Sequence, residues 1–197
     1  SDDGFVRDVH VSKLIIDPNN NNVFYATTQG ATEYTDKVGD GAGVFKSNDR
    51  GNSWTQINNG LDSLETNILT VDPNDSETLY LGTDDDGVYK STDGGESWKK
   101  LTVSSLSKSF GVGDIIVDPQ NSNNIYIGTV DYFRLSESRG VLGDFGVYKS
   151  TDGGATWEEF NVGLNHLGVF SLELSEENRI LYAGTRAGGV YWISLDN

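Results

Sequence analysis

Three near-copies of one eight-residue phrase constrain this chain more than any other feature. "SNDRGNSW" occupies residues 47–54, "STDGGESW" 91–98 and "STDGGATW" 150–157. Their aspartates, Asp49, Asp93 and Asp152, are spaced by 44 and 59 residues. A phrase that returns at such a period marks a repeat architecture, in which each unit is one supersecondary element. Cutting the chain before each apolar run aligns four lines. The first joins "VSKLIIDPNNNNVFYATT" to "GVFKSNDRGNSWTQI"; the second is "NILTVDPNDSETLYLGTDDDGVYKSTDGGESWKKL". The third joins "DIIVDPQNSNNIYIGT" to "GVYKSTDGGATWEEF", and the fourth is "VFSLELSEENRILYAGTRAGGVYWISLDN". All three prolines fall in one slot, as Asp17-Pro18, Asp72-Pro73 and Asp118-Pro119.

Each line predicts four short strands. Strand A is the apolar run before Asp-Pro, such as "DIIV" at 114–117, and its near-continuous hydrophobicity suits a strand covered on both faces. Proline ends its ladder because it has no N–H to donate. Strand B is "TLYLGT" or "IYIGT", strand C is "GVYKS", and strand D begins at the tryptophan. A period near 45 residues with four strands is that of a propeller blade. The expected fold is all-β: a β-propeller, or an open propeller segment, of about four blades. As a single domain over 1–197, it divides into blade 1 at about 5–59, blade 2 at 66–103, blade 3 at 112–163 and a partial blade 4 at 167–197. Blade 4 has no Trp-led strand D, so its outer edge is expected to be open to another strand.

The repeated phrase falls between strands C and D, where a tight hairpin is needed. Its Asp is expected to accept bonds from amides two or three residues on. Its glycines (Gly51, Gly94, Gly95, Gly153, Gly154) can take positive φ. The Ser or Thr before the tryptophan can bond back across the turn. Trp54, Trp98 and Trp157 each offer a large face for burial between sheets. Each part therefore has a structural task. Oxygens at alternating positions suggest Ca²⁺, but the phrase lacks the length and distal bidentate Glu of an EF-hand loop.

The phrase S-x-D-x-G-x-T-W resembles the Asp-box, or BNR repeat. It is found in sialidases, xyloglucanases, sortilin-type receptors and photosystem II assembly factors. The line "VDPxNxxxxYxGT…GVYKSTDGGxxW" looks most like xyloglucanase and assembly-factor blades, and the resemblance covers nearly the whole chain. It implies that the box residues Asp49, Gly51, Trp54, Asp93, Gly95, Trp98, Asp152, Gly154 and Trp157 are folding elements remote from any active site. Sialidase chemistry would further require an arginine triad, a Tyr–Glu pair and an early Arg-Ile-Pro; this chain has no Arg-Ile-Pro, and its six Arg do not occupy repeat-equivalent inner-strand positions. Xyloglucanases of this type place two Asp on a pair of large propellers, an architecture beyond 197 residues. A chaperone-like assembly factor would be expected to carry a basic patch.

Composition narrows the partners. The formal charge is −16, and the 8 Lys and 6 Arg are scattered, which excludes a nucleic-acid stripe. No apolar run approaches the ~20 residues that span a bilayer. There is no Cys, hence no disulfide or thiolate chemistry, and no Met. The chain is expected to be a processed or excised form, from an extracellular or cell-surface setting.

Binding residues are sought in the longest loops of a rigid scaffold. The B–C loop of blade 1 (29–42) carries Glu33, Tyr34, Asp36 and Asp40. That of blade 3 (130–145) carries Tyr132, Phe133, Arg134, Glu137 and Arg139. Exposed aromatics beside arginine suit a protein or carbohydrate contact. The short loop of blade 4 adds Arg186, and blade 2 adds Asp84, Asp85 and Asp86 as a speculative Ca²⁺ site. His10 and His166 stand apart from any nucleophile. No carboxylate pair has a stated reason for a raised pKa, so no catalytic residue is assigned. The expected function is non-catalytic binding or assembly, through a second copy or another protein. A carbohydrate-binding or glycoside hydrolase fragment is the first alternative, and an assembly-factor-like chaperone the second.

Overall fold

A computed structural model describes residues 9–30, 41–106, 110–130 and 145–196. Among these residues every regular element is a strand, and the fifteen strands form four antiparallel meanders. Blade 1 is β1 (Val9–Asp17), β2 (Asn20–Gly30), β3 (Val44–Ser47) and β4 (Thr55–Gln56). Blade 2 is β5 (Thr66–Asp72), β6 (Asp75–Thr83), β7 (Val88–Ser91) and β8 (Lys99–Lys100). Blade 3 is β9 (Gly111–Val117), β10 (Ile125–Val130), β11 (Gly146–Ser150) and β12 (Glu158–Glu159). Blade 4 stops at three strands: β13 (Val169–Ser175), β14 (Ile180–Thr185) and β15 (Gly189–Ser194). In blades 1 to 3 the order is A-B-C-D, as the repeat predicts, with strand D only two residues long; blade 4 has A-B-C.

The chain divides into two compact units, Ser1–Thr83 with Val88–Lys100, and Asp84–Gly87 with Leu101–Asn197. In the first, Tyr25 and Val44 of blade 1 pack with Leu69, Val71, Leu79, Leu81, Tyr89 and Trp98 of blade 2. In the second, Tyr126 and Val147 of blade 3 pack with Leu172, Leu174, Leu181 and Ala183 of blade 4. These residues alternate along their strands, so within each unit one face of the first sheet meets the second.

The same logic joins polar groups across both interfaces. The Asp that precedes Pro accepts from the A–B turn of the following blade. In the first unit Ser76 Oγ donates to Asp17 Oδ1 at 2.9 Å. In the second, Arg179 grips Asp118 with two bonds, Nη1 to Oδ1 at 2.9 Å and Nη2 to Oδ2 at 2.6 Å. Burial pushes the Asp118 carboxyl up, but the bonds from Arg179 and the Gln120 amide outweigh it and hold the group below its ordinary value. The strand-B tyrosine lies beside this aspartate. Tyr126 is pushed up to about 12, first by burial and then by the Asp118 charge.

The expectation that strand A is covered on both faces holds for β5 but fails for β1. Leu14 is 57% exposed, whereas Leu69, at the same register in blade 2, is 2% exposed. Val11 and Ile16 are exposed as well. The residue types are alike in the two strands; what differs is the neighbouring blade.

Candidate functional site

The three boxes share one bond pattern, and its centre is the first serine as much as the aspartate. Ser47 Oγ donates to Asp49 Oδ1 at 2.7 Å and accepts from the amide of Gly51 at 2.8 Å. Ser91 serves Asp93 and Gly95 in the same way, and Ser150 serves Asp152 and Gly154. The aspartate takes its short amide bond from four residues on, Ser53, Ser97 and Thr156 at 2.8–2.9 Å, and Asp49 and Asp152 also draw on the amide three residues on, of Asn52 and Ala155, as expected. The hydroxyls of those residues donate to the second carboxylate oxygen. Gly51, Gly94, Gly95, Gly153 and Gly154 all have positive φ, and in blade 1 Arg50 takes the slot of Gly94 at φ 62°.

These donors set the acidity of the boxes. The hydroxyl of Ser53, Ser97 or Thr156 contributes most, and Asp49, Asp93 and Asp152 are each held down to about 2. Trp98 and Trp157 are buried, while Trp54 is half-buried against Ala26, Ala42 and Phe45. Trp98 donates from Nε1 to the Ile57 carbonyl of blade 1 at 2.7 Å, and its amide donates to the Asn59 carbonyl at 2.8 Å. Both carboxylate oxygens of each box aspartate are engaged by the chain's own donors. The boxes are hairpin locks.

The loop face is built on a stem that the sequence reading missed. Glu65, in the D–A connection, accepts from the amide of Gly30 at 2.8 Å and of Gly41 at 2.6 Å. One carboxylate thus holds both ends of the blade 1 insertion. Below it, Thr28 Oγ1 donates to the Gly43 carbonyl and accepts from Ala42, while Thr66 Oγ1 accepts from the Thr28 amide. Blade 3 repeats part of this stem, with Thr129 Oγ1 donating to the Gly146 carbonyl and the Gly146 amide to that of Leu167. In the first unit, therefore, the B–C and D–A connections meet, as expected.

Of the loop-face residues singled out from sequence, Glu33, Tyr34, Asp36, Asp40, Tyr132, Phe133, Arg134, Glu137 and Arg139 lie outside the described residues. Arg186 is exposed, its guanidinium 5.2 Å from the ring centre of Phe170. Asp84, Asp85 and Asp86 are half-buried in the β6–β7 connection, and each already engages a partner. Among the described residues, no group of three or more His, Asp or Glu side chains is placed to hold a metal ion. His10 and His166 are exposed; the ring of His166 lies against Gly188.

Blade 4 holds the apolar surface that residue types alone did not reveal. In blades 1 to 3 the third position of strand C is Lys46, Lys90 or Lys149, each over the strand-B tyrosine of its own blade at 5.2–6.0 Å. At that register blade 4 has Trp192, 66% exposed, opposite Tyr182. Val190 is 70% exposed, whereas its counterpart Val44 is fully buried. A shallow apolar groove opens between the end of blade 3 and β14–β15. Phe160, Val162, Leu164, Leu181, Ala183 and Tyr191 line it.

The chain is 36% identical over 96 residues to the xyloglucanase Xgh74A of Acetivibrio thermocellus, a stretch covering 44% of this chain and 11% of that enzyme. Its fold matches the crystal structure of an ancestral GH74 enzyme, with TM-score 0.71, 25% identity, 92% of this chain and 22% of the enzyme. The GH74 enzyme of Niastella koreensis gives 0.67, 27%, 94% and 28% respectively. YCF48 bound to D1 peptide shares the fold, with TM-score 0.64 and 14% identity, covering 94% of this chain and 51% of YCF48. The chain thus spans about a ninth of the curated relatives it matches and under a third of the GH74 structures. Residues 42–191 match the family described as "Sortilin, neurotensin receptor 3". With three boxed hairpins, four propeller blades and most of its length inside that match, this chain belongs to the Sortilin-Vps10 family of Asp-box β-propeller proteins.

Proposed function

We propose that this propeller segment is a non-catalytic module that binds polypeptide, outside the cell, through the apolar surface of blade 4. The observation that carries the reading is the exposure of Val190, Trp192 and Phe170 on one blade. Large apolar residues gathered on a rigid sheet mark contact sites, and tryptophan is enriched at their centres. The binding partner is another protein or a second copy of this chain.

Sedimentation of the full chain across a wide concentration range, alone and with candidate partners, tests this reading. Val190→Asp with Trp192→Asp should abolish association and leave the unfolding midpoint unchanged, because both side chains are exposed. Association that survives both substitutions refutes it.

The 36% identity to a xyloglucanase supports a second reading, carbohydrate binding. Trp192 offers a flat ring of the kind that stacks on sugars. Quenching of its fluorescence by xyloglucan oligosaccharides, lost in Trp192→Ala, would favour carbohydrate over protein; release of reducing sugar would point to an enzyme.

A further inference from the structure

We propose that Asn59–Gly60 is a covalent modification site, at which the chain slowly converts its own asparagine to isoaspartate and loosens the seam between blades 1 and 2. The reaction is internal, and its co-reactant is water. The backbone nitrogen of Gly60 attacks the side-chain carbonyl carbon of Asn59. A C–N bond forms, the bond from that carbon to Nδ2 breaks, and ammonia leaves with the proton that Gly60 gives up. Water then opens the cyclic imide at either carbonyl, leaving aspartate or isoaspartate. Glycine is the best successor for this step, because it has no Cβ to hinder the attacking nitrogen.

Several pairs in the sequence suit this chemistry, and the fold leaves one of them open. Asn59–Gly60 is the chain's single Asn-Gly pair. Asp-Gly pairs can react in the same way, losing water in place of ammonia, and they stand at Asp86–Gly87, Asp93–Gly94 and Asp152–Gly153. In all three the attacking nitrogen is already committed as a donor. Gly87 donates to the Phe110 carbonyl at 3.0 Å, Gly94 to that of Glu77 at 2.9 Å, and Gly153 to that of Asn123 at 3.1 Å. The carboxylates of Asp93 and Asp152 are held as well, by the amides and hydroxyls of Ser97 and Thr156. At Asn59 neither restraint operates. Asn59 and Gly60 are both exposed, and among the described residues the Gly60 amide has no acceptor. The Asn59 carboxamide is held by one long bond, from Nδ2 to the Glu96 carbonyl at 3.4 Å.

Position gives the reaction its consequence. The Asn59 carbonyl accepts from the Trp98 amide at 2.8 Å, and the Ile57 carbonyl accepts from the Trp98 indole at 2.7 Å. Gly60 lies against the same stretch: a Cβ added to it would stand 2.2 Å from the Trp98 carbonyl oxygen. Isoaspartate inserts a methylene into the main chain between these contacts and turns the carbonyl that holds Trp98 into a side branch. Trp98 already fills the space beside Gly60 that a longer chain would need. The aspartate product puts an oxygen where Nδ2 faces the Glu96 carbonyl, and both products add negative charge to a chain at −16. Blade 3 has no such pair. Asn58 and Asn161 each accept from a strand-C valine amide, which aligns the two segments and puts Val162 in the place of Asn59. Blade 1 thus carries a one-way timer at its seam that blade 3 does not.

The test is ageing of the full chain in mildly alkaline buffer, which favours the deprotonated attacking amide, beside a sample kept in mildly acid buffer. Peptide mapping with isoaspartyl methyltransferase labelling locates the product. The expected result is label on the peptide holding residues 59–60 before any other. The labelled fraction should unfold at a lower urea concentration, with faster amide exchange at Trp98, and the acid-stored sample should show neither change. Asn59→Gln closes the imide ring far more slowly; it should take no label there and hold its midpoint through the same incubation. Label that appears first at Asp93 or Asp152 overturns the proposal. So does a folded chain left unlabelled at Asn59 while the urea-unfolded chain becomes labelled there, or a labelled fraction with an unchanged midpoint. An equal fall in the midpoint of aged Asn59→Gln assigns the loosening to another event and overturns it too.

Discussion

Replacing Arg179 by Met tests whether blades 3 and 4 are joined by a charged latch. Arg179 is mostly covered and Asp118 is fully buried, so the substitution leaves a carboxylate in the interface without its cation. Removing one partner of such a pair costs about 3–5 kcal/mol. Asp118 retains the Gln120 amide at 3.0 Å and the Asn124 amide group at 3.4 Å, which places the expected loss near the lower end, about 3 kcal/mol. With a urea slope of about 2 kcal/mol per molar, the midpoint falls by about 1.5 M. Asp118→Asn together with Arg179→Met removes both charges and should cost only about 1 kcal/mol, so adding Asp118→Asn to the Arg179→Met background recovers about 2 kcal/mol. The sign of the pH dependence follows from the lowered Asp118 acidity. The latch is at full strength above the ordinary aspartate value of about 3.9 and weakens as pH falls through the lower folded-state value. The Arg179→Met penalty should therefore shrink in acid. Urea unfolding at pH 7 and pH 3, with amide exchange over β9 and β13 to localise the change, reads both effects. A loss below about 1 kcal/mol at pH 7, or a penalty that is the same at both pH values, refutes the latch.

Three further outcomes follow from the repeat. Gly60→Ala and Gly163→Ala impose a similar backbone strain, at φ +92° and +78°, but only the first clashes with Trp98, so thermal unfolding should show about 1 kcal/mol for Gly163 and at least about 3 for Gly60. Equal losses would mean that Gly163 is as closely packed as Gly60. Trp98→Ala should destabilise the first unit by about 3–5 kcal/mol, seen as early exchange in β7, and intact exchange there would deny Trp98 its role at the blade interface. The amide shifts of Ser53, Ser97 and Thr156 should titrate near 2 rather than near 4, since the box bonds persist until pH falls through the lowered aspartate values; midpoints near 4 would show that the carboxylates are not locked.

The blades were legible because their signals are local. Asp-Pro, strand alternation and the boxed phrase each act within a few residues, and the fifteen strands appear where these place them. Burial was less legible. Leu14 and Leu69 stand at one register on like strands, yet only a neighbouring blade buries the second. Sequence periodicity reports which face a side chain takes, not whether anything covers it. Glu65 and Arg179 were missed for a related reason. Each is a charged residue in a connection, and its partners lie 24 to 61 residues away, at Gly30, Gly41 and Asp118. The serine that opens each box was overlooked because its bonds run to the amide four residues on, outside the usual side-chain turn. The exposure of Trp192 carried one readable cue, a tryptophan where three equivalent positions are lysine.

The carboxylate of Glu65 has a bearing on how such a protein can change. By pinning Gly30 and Gly41 to one side chain, it fixes the exit points of whatever lies between them, independently of that segment's composition. The entropy of closing a loop rises only with the logarithm of its length. Lengthening the chain between these two anchors therefore adds little closure entropy. The position is a natural port for acquired specificity, and a suitable one for grafting a recognition sequence onto the scaffold.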